Sequence, residues 1–125
     1  MTQILLVGLG GFLGAISRFL FSGLIQRLTP TLGFPLGTLA VNVMGCFVIG
    51  LLNGLTETRH LFGQEIRLFL FIGVLGGFTT YSTFGYETIA LLRDGELSRA
   101  VVSVVLHLIV GLGAVWAGDA IGRLG

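Results

Sequence analysis

The chain has 125 residues, 54% of them hydrophobic and 10% charged, with a mean hydropathy of +0.98; too little charge remains to coat a water-exposed surface, which excludes an ordinary soluble domain. The net charge of +1 comes with basic residues that are all arginine and scattered singly, which excludes a nucleic-acid-binding stripe. The single cysteine, Cys46, excludes a disulfide framework or a cysteine-built metal site within one chain, and its place in an apolar run reads as packing.

A membrane helix needs about 20 mostly apolar residues. Four segments meet this, from about Ile4 to Leu24, Pro35 to Leu55, Ile66 to Leu92 and Ala100 to Ile121. The expected fold is therefore an all-α membrane protein of four transmembrane helices in a single transmembrane domain, residues 1–125. Met1-Thr2-Gln3 lacks a charged leader and no A-x-A cleavage pattern follows, so the first apolar segment reads as a mature helix.

The first helix carries one charge away from its end, Arg18, which at that depth either marks an ion path or snorkels to the interface. Thr29-Pro30 and Gly33 punctuate the connection to the second helix, where Pro35 suits a first turn. On that helix Thr38 and Asn42 stand at i, i+4, with Gly45 and Cys46 continuing a narrow face, and both polar residues offer donors.

The third helix holds the strongest local anomaly, Gly73-Val74-Leu75-Gly76-Gly77-Phe78-Thr79-Thr80-Tyr81-Ser82-Thr83-Phe84. Glycine and hydroxyl residues are poor helix formers, and these cluster midway between Arg67 and Arg93, which predicts a break near the bilayer midplane. Carbonyls freed there cannot face lipid and must meet protein, water or an ion. A continuous helix with hydroxyls bonded back to its own carbonyls is the alternative. Below the break, Tyr81, Phe84 and Glu87 form one stripe at i, i+3, i+6. Glu87 is expensive in lipid and is expected to face protein, water or an arginine, or else to snorkel beside Arg93.

Asp94-Gly95 separates the third helix from the fourth, which Ser98 is expected to cap. There Ser103, His107 and Gly111 repeat at i, i+4, i+8 as a polar track that serves either conduction or helix–helix contact. Gly10/Gly14, Gly50/Gly54 and Gly73/Gly77 have small-xxx-small spacing and are expected to let backbones approach closely. The arginines balance across the membrane, Arg59, Arg67 and Arg123 on one side against Arg27, Arg93 and Arg99 on the other. Orientation follows an arginine and lysine excess, so this balance fits a chain that inserts both ways and pairs as an antiparallel homodimer.

Gly37-Thr38-Leu39-Ala40-Val41-Asn42 and Gly76 through Phe84, with Gly14 through Arg18 upstream, resemble the Fluc (CrcB-type) fluoride channels in all four helices in order. The resemblance implies an antiparallel, dual-topology homodimer that exports cytoplasmic fluoride passively from a multi-pass position in the bacterial inner membrane. It implies a fluoride pathway through Arg18, Thr38, Asn42, Tyr81, Phe84, Glu87, Ser103 and His107, and a structural Na+ on the backbone carbonyls of Gly76 and Thr79 from two copies. The implied partners are fluoride, a second copy and the lipid bilayer, with no nucleic acid. Two positions depart from the family pattern: Tyr81 stands where a first phenylalanine is usual, and His107 where a serine is usual.

A small dual-topology multidrug/proton exchanger has the same size, but such exchangers carry a carboxylate midway along the first helix, where this chain has Arg18 and no acid. A structural protein without transport leaves the midplane break unexplained. An enzyme is not expected, because Glu87, Asp119, His107 and His60 fall at no catalytic or metal spacing.

Overall fold

Glycine, rather than a large apolar core, decides how this chain packs. In the computed structural model, which describes residues 1–30 and 33–125, the only buried large or small hydrophobic side chains among the described residues are Val41, Leu75 and Ala100. Leu9, Phe12, Phe19, Leu112 and Trp116 point outward, and in lipid their exposure costs nothing. Helices associate there by close backbone contact.

The elements are α1 (Thr2–Leu28), α2 (Leu36–Arg59), α3 (Gln64–Arg67), a π-helical stretch (Leu68–Leu75), α4 (Gly76–Phe78), α5 (Tyr81–Arg93) and α6 (Leu97–Leu124). Four helical spans are long and apolar enough to cross a membrane, the third running over Gln64–Arg93. All four exceed the expected bounds at most ends, because polar terminal turns such as Thr56 to Arg59 remain helical outside the apolar stretch. Pro35 precedes α2 as its N-cap. Ser98 does not cap α6: the helix starts one residue earlier, at Leu97 behind Glu96, and Ser98 lies inside the first turn. The turns close with backbone in the left-handed region at Gly33 (φ 60°), His60 (φ 52°, closing α2) and Gly95 (φ 76°).

The spans pack as two pairs. In the first, α2 and α6 approach through facing glycines: a Cβ on Gly118 would strike the Phe47 carbonyl and stand 2.8 Å from the Leu51 nitrogen, and one on Gly54 would stand 3.0 Å from Gly122 Cα. Asn53 Nδ2 donates to Asp119 Oδ1 at 3.1 Å across the same contact, and Arg123 Nε donates to Asp119 Oδ2 at 2.7 Å. In the second pair, α1 lies against the π-helical stretch and α4. A Cβ on Gly10 would stand 2.8 Å from Gly73 Cα, and one on Gly77 2.7 Å from the Gly11 carbonyl oxygen. The expected glycine pairs are all at such contacts, and Gly118/Gly122 add the facing half.

The third span breaks where the composition predicts. After α4 the chain runs extended through Thr79 (φ −90°, ψ 157°) and Thr80 (φ −152°, ψ 117°) before α5 begins. The Thr80 hydroxyl accepts the Thr83 N–H at 3.3 Å and caps α5. Thr80→Ala is expected to lower stability by about 1 kcal/mol while Thr80→Ser leaves it unchanged, as read by the denaturant midpoint of α-helical circular dichroism in detergent. The π-helical stretch just above the break has no counterpart in the sequence reading.

Candidate functional site

The close contact at Gly14 brings α1 onto the third span, and one turn further along Arg18 reaches the break. Its Nε donates to the Gly77 carbonyl at 3.1 Å. The guanidinium therefore turns toward protein rather than snorkelling. It lines a cavity of about 540 Å³ together with Gln26, Thr38, Thr80, Thr83 and Glu87.

Across that cavity α2 presents Thr38, which is buried, and its hydroxyl donates to Glu87 Oε2 at 2.9 Å. Glu87 thus faces protein, with Thr38 rather than Arg93 as its partner, while its second oxygen, Oε1, is enclosed without one. One basic side chain, Arg18, and two acidic ones, Glu87 and Asp94, share the cavity wall.

One turn along α2, Asn42 replaces the helical hydrogen bonds that the break removes. Its Oδ1 accepts the Thr80 N–H at 2.8 Å, and its Nδ2 donates to the Thr80 carbonyl at 3.1 Å. A backbone N–H only donates and a carbonyl only accepts, so this pairing sets the orientation of the side-chain amide. Nδ2 also lies 3.2 Å from His107 Nε2, and His107 Nδ1 lies 3.0 Å from the Ser103 carbonyl.

The His107 ring packs on Phe84, with centroids 4.1 Å apart and planes tilted by 39°. Tyr81 follows on the same stripe, its ring 5.7 Å from that of Phe84. At 83% exposure Tyr81 points away from the bundle, so its neighbours on the α2 side do not enclose it. Asn42, Thr79, Tyr81, Phe84 and His107 line a second cavity of about 410 Å³.

Thr80 lines both cavities. The extended segment is thus a partition, tied to α2 by Asn42, with the Phe84 ring on the wall of the second cavity. Sequence reasoning singled out Asn42 and Phe84 but not Thr80, because its partner is 38 residues away. Ser103 is the predicted residue that stands apart: it is buried, it lies on neither cavity wall, and it contributes its carbonyl to His107.

The break also changes which carbonyls have donors. In a continuous helix Gly76 would receive the Thr80 N–H and Thr79 the Thr83 N–H. Here the first is turned to Asn42 Oδ1 and the second to the Thr80 hydroxyl. The Gly77 carbonyl is satisfied by Arg18 instead. Gly76 and Thr79 therefore lose their helical donors, and their carbonyls suit a hard monovalent cation. Among the described residues no cluster of histidine, cysteine or carboxylate side chains offers a metal site.

Residues 5–119 match the family model described as CrcB-like protein, Camphor Resistance (CrcB). The chain is similar to proteins named fluoride-specific ion channel FluC. That of Opitutus terrae is 50% identical, covering 94% of this chain and 90% of the relative. That of Geobacter sulfurreducens is 47% identical, covering 94% of each, and that of Methylobacillus flagellatus is 45% identical, covering 94% of this chain and 92% of the relative.

Proposed function

We propose, since this chain belongs to the CrcB-like protein family, that it is a multi-pass membrane channel through which fluoride leaves the cytoplasm passively. The name its relatives share supplies the ion. The observation that carries the reading in this chain is the Thr79–Thr80 partition: a break within a membrane span, with Thr80 on the wall of two cavities, Asn42 bonded to it and Phe84 on the second cavity's wall.

Fluoride is small and holds its hydration shell tightly, so a selective path must replace water at close range. Arg18 is the attraction for an anion on the first cavity's wall, which the Glu87 and Asp94 carboxylates share. With the Thr38 and Thr80 hydroxyl hydrogens given to Glu87 and Thr83, the Thr83 hydroxyl is the threonine donor left to replace hydration water. On the second cavity's wall, the edge of the Phe84 ring carries partial positive charge and is one face a bare anion meets. Tyr81, Glu87, Ser103 and His107 belong to the same pathway in this reading, Ser103 through its carbonyl hold on His107. In acidified surroundings fluoride takes up a proton and crosses the membrane as neutral HF, which dissociates inside to fluoride and a proton, and the fluoride exits down its gradient. The bacterial inner membrane is the place where such export serves.

The functional unit is an antiparallel homodimer. Balanced arginines let both orientations insert, and the large apolar surface of one copy leaves room for a second. A structural Na+ at its axis would be held by the Gly76 and Thr79 carbonyls of the two copies, where it would neutralise carbonyl dipoles that the break deprives of donors.

Fluoride-electrode recording of efflux from proteoliposomes, with chloride as the control, tests the reading. Fluoride release without chloride release is the expected result, and equal release of both would make this a general anion pore. Phe84→Ile is expected to slow fluoride efflux at least about tenfold, equivalent to roughly 1.4 kcal/mol on the barrier, with the dimer peak in gel filtration unchanged. Unchanged flux would remove the role assigned to that ring.

A further inference from the structure

His107 lies between α2 and the third span, and its surroundings determine which of its ring nitrogens carries a proton. The Ser103 carbonyl accepts only, so His107 Nδ1, 3.0 Å away, is the donor. At the other nitrogen the constraint comes from further off. The Thr80 N–H and carbonyl orient the Asn42 amide, so Asn42 places Nδ2, a donor, 3.2 Å from His107 Nε2. Nε2 must therefore be bare and accept. Both ends of the ring, fixed by independent backbone groups on α6 and at the break, require the same neutral form. A hydrogen on Nε2 would point at a hydrogen on Asn42.

This leaves Asn42 with its Nδ2 hydrogens given to Thr80 and His107 and its Oδ1 taken by the Thr80 N–H. Without His107 only the two bonds to the backbone of one residue, Thr80, hold the amide, and it can rotate off them. With it, the amide is tied to α6 as well as to the third span.

We infer that His107 is a positioning residue that, through an unprotonated Nε2, holds the Asn42 amide in its clamp on Thr80 and so keeps the partition between the two cavities in place. It acts on the break and gives fluoride no donor from Nε2. The inference deepens the channel reading and rests on it for its functional meaning, but its geometry is testable without fluoride.

The measurement is ring-¹⁵N NMR of the full chain in lipid, in a His60→Asn background that leaves His107 as the one histidine; asparagine suits the left-handed backbone there. The expected spectrum shows a protonated Nδ1 and a bare Nε2. Amide hydrogen exchange at Thr80 is followed in parallel. His107→Phe keeps a ring against Phe84 and removes the acceptor, and exchange at Thr80 is expected to rise about tenfold. His107→Gln, which returns an acceptor at similar reach, is expected to restore most of the protection. An Nε2–H tautomer, a ring protonated at both nitrogens, or unchanged Thr80 exchange in His107→Phe would overturn the inference. Should these readouts hold while efflux recordings show no fluoride selectivity, the channel reading fails and the positioning role stands.

Discussion

Asn42→Leu is expected to cut fluoride efflux by at least about a hundredfold. Leucine keeps the branching of asparagine at Cγ but withdraws both hydrogen bonds to the Thr80 backbone. Leaving a buried N–H or carbonyl unpaired costs about 1–3 kcal/mol each. The Thr80 N–H then has one good alternative, the Gly76 carbonyl one helical turn back. Taking it closes the break, and the segment that lines both cavities disappears into a helix. Initial rates from fluoride-electrode traces, normalised to dimer recovered by gel filtration, measure the effect. Asn42→Leu protein that conducts at the native rate would show that the clamp is dispensable, and the partition with it.

Gly118→Val is the substitution expected to cost the most stability, about 3 kcal/mol. A Cβ there meets the Phe47 carbonyl and the Leu51 nitrogen, both backbone atoms that no rotamer change can move. α2 and α6 must then separate, and with them Asn42 and His107, which depend on that contact for their 3.2 Å approach. Gly113 on the same helix is the control, because a Cβ there meets nothing within 4 Å. Gly113→Ala is expected to be neutral or to add up to about 1 kcal/mol from helix propensity. Midpoints of unfolding in mixed micelles of increasing denaturing detergent compare the two. Equal midpoints would mean that the glycine contact does not hold the pair together.

The glycines of the third span and those of α2 illustrate how far a sequence pattern reaches. Spacing marked Gly10/Gly14, Gly50/Gly54 and Gly73/Gly77 as contact surfaces, because a helix repeats its faces every few residues. It did not say which pair meets which. That Gly50 and Gly54 face Gly118 and Gly122, while Gly10 and Gly14 face Gly73 and the backbone before Gly77, is a matter of helix pairing across the whole chain. The site shows the same division. Asn42, Phe84, Glu87 and Arg18 stood out as polar or aromatic anomalies on apolar helices. Thr38 stood out with them; the partners that did not, Thr80 and the Gly77 carbonyl, become important through contacts 38 and 59 positions away.

From residue order alone came the number of spans and the place of the break, since hydropathy and helix propensity act over a turn or a span of chain; the stripe read below the break is divided in the structure, with Tyr81 and Phe84 on the second cavity and Glu87 on the first. Tertiary structure decided that Asn42 supplies the missing backbone partners, that Ser103 serves through its carbonyl, and that His107 accepts at Nε2. Each depends on where a donor from a distant helix arrives. A hydrogen bond is settled by direction and by about 3 Å of distance, and neither is written in the spacing of residues along one helix.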